Sequence, residues 1–176
     1  MKKVVLVFFI GILLVGCDKG KDNQNQQQQS DPNNSAVTTE TIYKNDQYGL
    51  EFSLPDSWKG YTITDDKWEG VSESETQQQI IETGPLISIR HPQWRAEKPR
   101  QDIPIMVFTL SQWDSLQNNK FHIGAAPVGP SEIDRNSKYV FALPARYNYS
   151  YLEGYEEVEE ILDSKPLKPI ENFKGQ

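Results

Sequence analysis

The run IPIMVFTL, residues 103–110, contains no charged side chain. A continuous apolar run of this length is typical of a β-strand that is covered on both faces. Pro104 lies at the second position of the run, where the missing backbone donor of proline is tolerated. The run therefore predicts the central strand of a sheet. Ser111 is expected to be the N-cap of a short helix that follows directly.

A second strand is predicted upstream of this run. The sequence LEFSL, Leu50–Leu54, alternates apolar and polar residues, and this period of two is typical of a strand with one buried face. Asn45 and Asp46 are turn-forming residues and predict a hairpin that leads into the strand. Pro55 is expected to end the strand, and Trp58 is expected to pack against the core just beyond it.

The remaining segments predict further strands and one more helix. The expected strands are residues 60–68, 77–82, 85–90, 127–134 and 138–143, with turns at Thr83-Gly84 and Asn136-Ser137. In the sequence GYEEVEEIL, residues 154–162, apolar residues recur every three or four positions, which predicts an amphipathic helix. Several antiparallel strands with few helices predict an α+β fold, in which an antiparallel β-sheet is flanked by helices.

The C-terminal helix carries four glutamates, Glu156, Glu157, Glu159 and Glu160. We expect these side chains to form, for the most part, a solvated face, since a surface helix places its charged residues opposite the apolar stripe. Calcium binding by the same carboxylates is the alternative.

The sequence YGLEFSLPDSW, residues 48–58, resembles the opening of PsbP-like domains, which often begin with an aromatic-glycine-apolar strand followed by proline and tryptophan. The resemblance covers roughly residues 43–162, although only residues 48–58 are motif-like. It implies an α/β/α sandwich around an antiparallel sheet. Members of that superfamily act mostly as docking or assembly modules, and the matched residues look structural, so they carry over no binding site.

The N-terminal residues have the pattern of a secretory signal peptide. Lys2 and Lys3 precede an uncharged apolar segment, residues 4–15. As a helix this segment would rise about 18 Å, which is short of the roughly 30 Å of a hydrocarbon core. Residues 14–17, LVGC, resemble a bacterial lipobox. The resemblance implies that residues 1–16 are a lipoprotein signal peptide and that Cys17, the only cysteine of the chain, receives a diacylglyceryl anchor.

The anchor predicts that the chain is held at the extracytoplasmic face of the cell membrane. The alternative is an ordinary cleaved signal peptide followed by an incidental cysteine. Residues 17–40 are rich in glutamine and asparagine and predict a disordered linker after the lipidated cysteine. Residues 41–176 are richer in aromatic and aliphatic side chains and are long enough for a single globular domain.

Composition and motifs argue against several classes of function. The formal charge of −7 disfavours nucleic acid as a partner. His91 and His122 lie outside metal-ligand spacings, and the chain contains neither a GxSxG motif nor a phosphate-binding loop. We therefore expect no catalytic residue, no metal and no cofactor. Paired carboxylates leave no signature in a sequence, so a hydrolase of the cell envelope is kept as an alternative.

Three segments are richer in recognition residues than a plain scaffold requires, because arginine and aromatic side chains are enriched at binding hot spots. The candidates are His91, Trp94, Arg95, Arg100 and Asp102 in residues 91–102, His122 in residues 121–130, and Arg146 and Tyr147 in residues 145–151. Our hypothesis is that the three segments meet at one end of the sheet and form a binding face. The alternative is that the aromatic residues seal the core while the arginines pair with nearby acids.

The sequence therefore favours a lipid-anchored module that binds a partner protein of the cell envelope. A small-ligand-binding lipoprotein is the alternative, and it would require a concave pocket lined by aromatic residues. An envelope hydrolase is the third reading.

Overall fold

A computed structural model of the chain describes residues 41–72, 79–124 and 128–173. The predicted signal peptide of residues 1–16, the predicted lipidation site Cys17 and the predicted linker of residues 17–40 lie outside the described residues. Within the described ranges, the chain forms two antiparallel sheets and two α-helices. The strands are β1 (Thr41–Asn45), β2 (Leu50–Leu54), β3 (Thr62–Ser72), β4 (Ile80–Arg90), β5 (Ile103–Thr109), β6 (Phe121–Ile123), β7 (Ser131–Arg135), β8 (Tyr139–Leu143) and β9 (Leu167–Pro169), and the helices are α1 (Leu110–Gln117) and α2 (Tyr155–Asp163).

Strand β5 lies inside a six-stranded sheet with the order β6-β3-β4-β5-β8-β7. Its residues alternate between two hydrophobic clusters: Ile103, Ile105 and Val107 belong to one, while Met106 and Phe108 belong to the other. Alternate residues of a strand point to opposite faces of the sheet, so β5 is buried on both sides. The prediction of a doubly covered central strand is confirmed.

A smaller sheet, with the order β1-β2-β9, covers one face of the larger one together with α2. The predicted hairpin is present, since β1 and β2 pair and the Asn45 side chain accepts hydrogen bonds from the backbone N–H groups of Gln47 and Tyr48, each at 3.0 Å. The apolar residues of β2 are fully buried, and Trp58 packs behind them as expected.

Helix α1 covers the opposite face of the six-stranded sheet, where Trp113 and Leu116 pack with Trp68, Phe108 and Phe121. A helix therefore lies on each face of the antiparallel sheet, which confirms the α+β fold class. Neither helix of the described ranges is long and apolar enough to cross a membrane. The closer likeness to PsbP-like domains stays a prediction.

The predicted turn at Thr83-Gly84 is wrong, because β4 runs through these residues without interruption and pairs with β3. Gly84 lies opposite Trp68, and a Cβ atom at this position would come within 2.5 Å of the indole ring. A glycine inside a strand often marks the close approach of another group. Gly84 is therefore required for the packing of Trp68. In the sequence alone, the same glycine looks like a turn residue.

The structure also differs from the predicted elements at one helix cap and contains two further strands. Helix α1 is capped by Thr109 rather than Ser111, since the Thr109 hydroxyl accepts from the Gln112 N–H at 3.2 Å and the Gln112 side chain accepts from the Thr109 N–H at 3.0 Å. The candidate segment 121–130 begins with strand β6, which is not among the predicted strands. A further strand, β9, follows the C-terminal helix.

Helix α2 matches the predicted amphipathic helix, with Val158 and Ile161 buried. Its glutamates divide into two groups. Glu156 and Glu160 are exposed, as expected for a solvated face. Glu157 accepts a hydrogen bond from the Ser57 hydroxyl at 2.6 Å, and Glu159 accepts one from the Asn148 side chain at 2.5 Å. This second pair is half-buried and fastens α2 to the rest of the domain, so the fully solvated part of the face consists of Glu156 and Glu160.

The substitution Gly84→Ala is expected to lower the free energy of unfolding by about 1–3 kcal/mol, because the added methyl group overlaps the Trp68 indole. Thermal and denaturant unfolding followed by near-ultraviolet circular dichroism measures the change. Gly129→Ala is the matched control, since a Cβ atom there meets nothing within 4 Å. Equal stability of the two variants would contradict the packing assigned to Trp68.

Candidate functional site

The segment that joins β4 to β5, residues 91–102, begins with a histidine that lies inside the domain. His91 is buried, and its ring meets the Trp58 indole edge to face, with 5.0 Å between the ring centroids. The Nδ1 atom of His91 accepts a hydrogen bond from the Gln93 N–H at 3.1 Å. A ring nitrogen that accepts carries no proton, so His91 is neutral, with its proton on Nε2. His91 packs against the core and is not exposed on the predicted binding face.

Asp102, at the other end of this segment, is held by an arginine that the sequence reasoning missed. Arg90 donates two hydrogen bonds to Oδ2 of Asp102, from Nε at 3.1 Å and from Nη2 at 2.9 Å. The Trp94 ring lies over the same guanidinium, 4.1 Å from its central carbon. Arg90 and Asp102 flank the register pair Ile89–Ile103. Arg90 ends β4 and Asp102 directly precedes β5. Opposite charges at the two ends of one strand connection are the sequence signal from which this ion pair could have been predicted.

Arg100 fastens residues 91–102 to the segment that precedes α2. Its side chain is 14% exposed, with Nη1 2.7 Å from Oε1 of Glu153 and Nη2 3.4 Å from Oε2 of Glu157. The next residue, Gln101, donates its backbone N–H to the Glu153 carbonyl at 2.9 Å and its side-chain amide to the Tyr147 carbonyl at 3.2 Å. Two of the three predicted segments therefore meet around Arg100.

Two local features support this junction: a glycine that leaves space for Arg100 and a second ion pair at Glu153. Gly154 has a φ of +81°, and a Cβ atom there would approach Nη2 of Arg100 to 2.9 Å, so glycine suits both the backbone and the space. Glu153 also accepts from Lys98 at 2.6 Å. The hydrogen bond from Lys98, supported by the charge of Arg100, holds the pKa of Glu153 below its usual value. The junction thus contains a carboxylate that is ionised at neutral pH.

The segment between β8 and α2 displays two tyrosines in the solvent. Tyr149 is 75% exposed and Tyr151 is 70% exposed. Their backbone N–H groups donate to the carbonyls of Arg146 and Asn148, each at 3.0 Å, which closes two successive turns. Arg146 and Tyr151 have φ values of +52° and +45°, a left-handed conformation that is uncommon for residues other than glycine. The turns therefore hold the two aromatic rings outward at a conformational cost.

We use the term loop face for the outward side chains of the two joined segments: Trp94, Arg95, Arg146, Tyr149 and Tyr151. Arg95 is exposed, and its guanidinium donates to the carbonyls of Pro92 and Trp94 at 3.2 and 2.7 Å. Trp94 is half-buried against Arg90. The arginines of this region thus divide into two kinds, because Arg90 and Arg100 pair with local acids whereas Arg95 and Arg146 lie at the surface.

His122 lies at the opposite end of the six-stranded sheet. It pairs in register with Val71 in β3, whereas the loop face borders the end of the sheet where Thr62 pairs with Arg90. The stretch of β3 from Thr62 to Val71 spans about 30 Å. His122 therefore does not join the other two segments, although the last residues of its segment lead into Ser131, which pairs with Leu143 just before residues 145–151. Residues 125–127 of that segment lie outside the described residues.

Tyr147 is half-buried and is not part of the loop face. Its side chain lines a groove of about 630 Å³ beside the C-terminal half of α2. Burial raises the pKa of Tyr147, and the negative charges of Glu159 and Asp163 add to the effect. We call this the acidic groove. Its lining residues are Glu132, Ile133, Asp134, Leu143, Tyr147, Glu159, Leu162, Asp163, Lys165 and Leu167.

A second groove, of about 420 Å³, separates the β1–β2 turn from the β3–β4 hairpin. We call it the tyrosine groove, since Tyr43 and Tyr48 line one wall and Asp65 lies on the other. Burial is the main cause that raises the pKa of both tyrosines, and the charge of Asp65 contributes. Both phenols are therefore neutral hydrogen-bonding groups at physiological pH.

No family model, no curated protein and no solved structure matches this chain. Within residues 41–72, 79–124 and 128–173, no group of three or more histidine, cysteine, aspartate or glutamate side chains is placed to hold a metal ion. Function therefore has to be argued from the surfaces described above.

Arg100→Ala is expected to lower the free energy of unfolding by about 1.5–3 kcal/mol, because it removes charge-assisted hydrogen bonds to Glu153 and Glu157 from a largely buried position. Arg95→Ala, which alters an exposed guanidinium in the same segment, should change it by no more than about 0.5 kcal/mol. Urea unfolding of both variants tests this. Equal losses would show that Arg100 does not join the two segments.

Stability is expected to fall as the pH drops below 6.5. Burial, followed by the charge of Arg100, lowers the pKa of His91 from 6.5, against smaller opposing effects of Glu157 and Glu153. The unfolded chain therefore takes up the proton first, and stability that is complete above pH 6.5 is lost progressively as the pH falls through the folded-state pKa, by at most about 1.4 kcal/mol per pH unit.

The measurement is the free energy of unfolding of the native chain and of His91→Leu between pH 7.5 and 5. The variant should lack the part of the pH dependence that His91 contributes. A native chain with the same pH profile as the variant would contradict this assignment.

Proposed function

We propose that this chain is a lipid-anchored lipoprotein of the cell envelope whose domain binds a partner protein through the loop face. The anchor on Cys17 and the linker of residues 17–40 would hold the domain close to the membrane while leaving its orientation free. Two acyl chains on one residue give stable anchoring, where one chain gives marginal anchoring.

The observation that carries this proposal is the outward display of Tyr149 and Tyr151 on two closed turns. Aromatic side chains are enriched at protein interfaces, since they supply a large contact area at a small cost in conformational entropy. The left-handed backbone of Arg146 and Tyr151 costs about 1–3 kcal/mol per residue. Such a cost is typical of functional sites, and the Arg100 junction beside the turns supplies the rigid support that it requires.

The charges of the loop face favour a protein partner over an anionic lipid surface. Arg95 and Arg146 are cationic, but the neighbouring Lys98 and Arg100 are paired with Glu153. Exposed Glu97 reduces the positive charge further. Attraction to anionic lipid grows with each unpaired basic residue near the membrane, and two such residues provide little of it. Two arginines among aromatic rings are instead a common composition of protein contact sites.

A small-ligand-binding lipoprotein is the second candidate, and the tyrosine groove favours it. The groove has a volume of about 420 Å³, which falls within the range of about 300–1,000 Å³ found for small-molecule sites. Tyr43 and Tyr48 offer hydroxyl groups beside the apolar surface of Ile63 and Pro85. This reading predicts a groove ligand and no stoichiometric protein contact at the loop face.

The proposal is tested by photocross-linking in intact cells with the full-length chain. A benzophenone amino acid replaces Tyr149 or Tyr151 in turn, and control chains carry it at Glu69 or Lys120, which are exposed near the other end of the sheet. We expect one discrete protein adduct from positions 149 and 151 and none of that mass from the controls. Cys17→Ser should release the chain from the membrane fraction and abolish the adduct.

Adducts of equal yield at the test and control positions would mean random collision and would overturn the proposed docking role. Absence of any adduct at 149 and 151, with the chain still in the membrane fraction, would favour the ligand-binding candidate. A chain that stays in the membrane fraction as Cys17→Ser would overturn the anchor.

A further inference from the structure

One wall of the tyrosine groove carries two phenol groups that can still donate a hydrogen bond. The Asn45 side-chain amide donates to the Tyr43 hydroxyl at 2.8 Å, and the Gln47 amide donates to the Tyr48 hydroxyl at 3.0 Å. A hydroxyl that accepts a hydrogen bond keeps its own proton to donate. In the described part of the chain, neither phenol donates to a protein acceptor, although Tyr43 is only 8% exposed. Water or a ligand in the groove has to accept these protons, since a buried donor left unpaired costs free energy.

The two phenols are held in place by residues outside the groove. The Tyr43 ring meets the Tyr61 ring edge to face, with 6.0 Å between the centroids, and Tyr48 meets Tyr139 in the same way at 5.4 Å. The buried side chain of Asn136 donates to the Tyr48 carbonyl at 2.9 Å. Polar groups that are fixed before binding lose little conformational entropy when a ligand arrives. This wall is therefore a preformed pair of donors.

The opposite wall offers acceptors. Asp65 and Asp66 are exposed residues of β3 that line the groove. The Asp66 carboxylate accepts from the Lys67 N–H at 2.7 Å, whereas no hydrogen bond or ion pair within the described ranges occupies the Asp65 carboxylate. Burial and, to a smaller extent, the charge of Asp65 raise the pKa values of Tyr43 and Tyr48. The Asp65 carboxylate is therefore close enough to act on both phenols across the groove.

The surface beside these polar groups is apolar. Ile63 and Pro85 are half-buried members of the lining, and Ile63 also packs against the larger hydrophobic cluster. Apolar surface in a groove gains free energy when a ligand covers it. The site thus combines a few fixed polar groups with an apolar patch, which is the usual composition of a small-molecule site.

The opposed walls define the chemistry of the ligand. An anion would accept from the phenols but would face two carboxylates, which outnumber the single lysine of the lining. A simple cation would pair with Asp65 but would leave the phenol protons unused and the apolar patch uncovered. Alcohol groups both accept and donate, so a ligand rich in hydroxyl groups can satisfy both walls without a net charge. A sugar ring combines such hydroxyl groups with C–H surface for the apolar patch.

We propose that the tyrosine groove binds a neutral mono- or disaccharide. Its hydroxyl oxygens accept from Tyr43 and Tyr48, another hydroxyl donates to Asp65, and its C–H surface covers Ile63 and Pro85. This inference deepens the small-ligand candidate described above and rests on it. The groove shares no residue with the loop face, so sugar binding and cross-linking at the loop face can each succeed or fail without the other.

The test uses the full-length chain, purified in a detergent that has no sugar headgroup. Isothermal titration calorimetry and saturation-transfer difference NMR measure the binding of maltose, cellobiose and N,N′-diacetylchitobiose at millimolar concentrations. We expect at least one of them to bind with one molecule per chain. Its affinity should change by less than about twofold when salt is added, because an uncharged ligand is little affected by screening.

Binding of none of the three disaccharides would overturn the proposal. The diamine cadaverine is the probe for a cationic ligand. If cadaverine binds more tightly than every disaccharide and is displaced by salt, the groove is a cation site and the saccharide assignment is wrong.

Substitutions locate the bound sugar. Tyr48→Phe and Asp65→Asn should each weaken its binding by about fivefold, because each removes one hydrogen bond while keeping the shape of the side chain. Tyr43→Phe should act in the same way, and Tyr48→Phe keeps the test valid if the more buried Tyr43 is needed for folding. Thermal melting establishes that each variant is folded.

The matched controls are Tyr61→Phe and Glu69→Gln, which remove a phenol hydroxyl and a carboxylate from residues outside the groove lining. Both should bind the sugar within about twofold of the native chain. Losses in the controls equal to those of the groove variants would overturn the assignment. So would unchanged affinity in the double variant Tyr48→Phe/Asp65→Asn.

Discussion

The burial of β5 on both faces is the constraint on which the rest of this domain depends. A strand with apolar residues on both sides has to be covered twice, because an uncovered apolar face loses the free energy that burial provides. On one side the cover consists of the β1-β2-β9 sheet and α2. On the other side α1 provides it, together with Trp68 and Phe121. The layered arrangement follows from this single requirement.

Helix α2 connects the core to the Arg100 junction and to the acidic groove. Val158 and Ile161 face the hydrophobic core and fix the position of the helix. Glu157 faces Arg100 and so takes part in the junction beneath the loop face. Glu159 and Asp163 line the acidic groove. Different sides of one short helix thus contact the core, the Arg100 junction and the acidic groove. A change at either surface would therefore affect a helix that the same apolar contacts hold in place.

The parts of the fold that were predictable are those recorded in local periodicity. The alternation in Leu50–Leu54, the apolar run that became β5 and the spacing in α2 each reflect how a single element meets the core. The wrong prediction of a turn at Thr83-Gly84 arose because a local signal had a distant cause. Gly84 looked like a turn residue, but its size is set by Trp68, which the pairing of β3 with β4 brings against it.

By itself, the sequence determined the fold class, the apolar faces of its elements and the candidate segments rich in arginine and aromatic residues. Only the tertiary structure decided how these segments combine. Arg100 meets Glu153 across 53 positions of the chain, whereas His122 is carried to the far end of the sheet. The physical reason is that periodicity reports the environment of one element, while strand order and register set which distant side chains become neighbours.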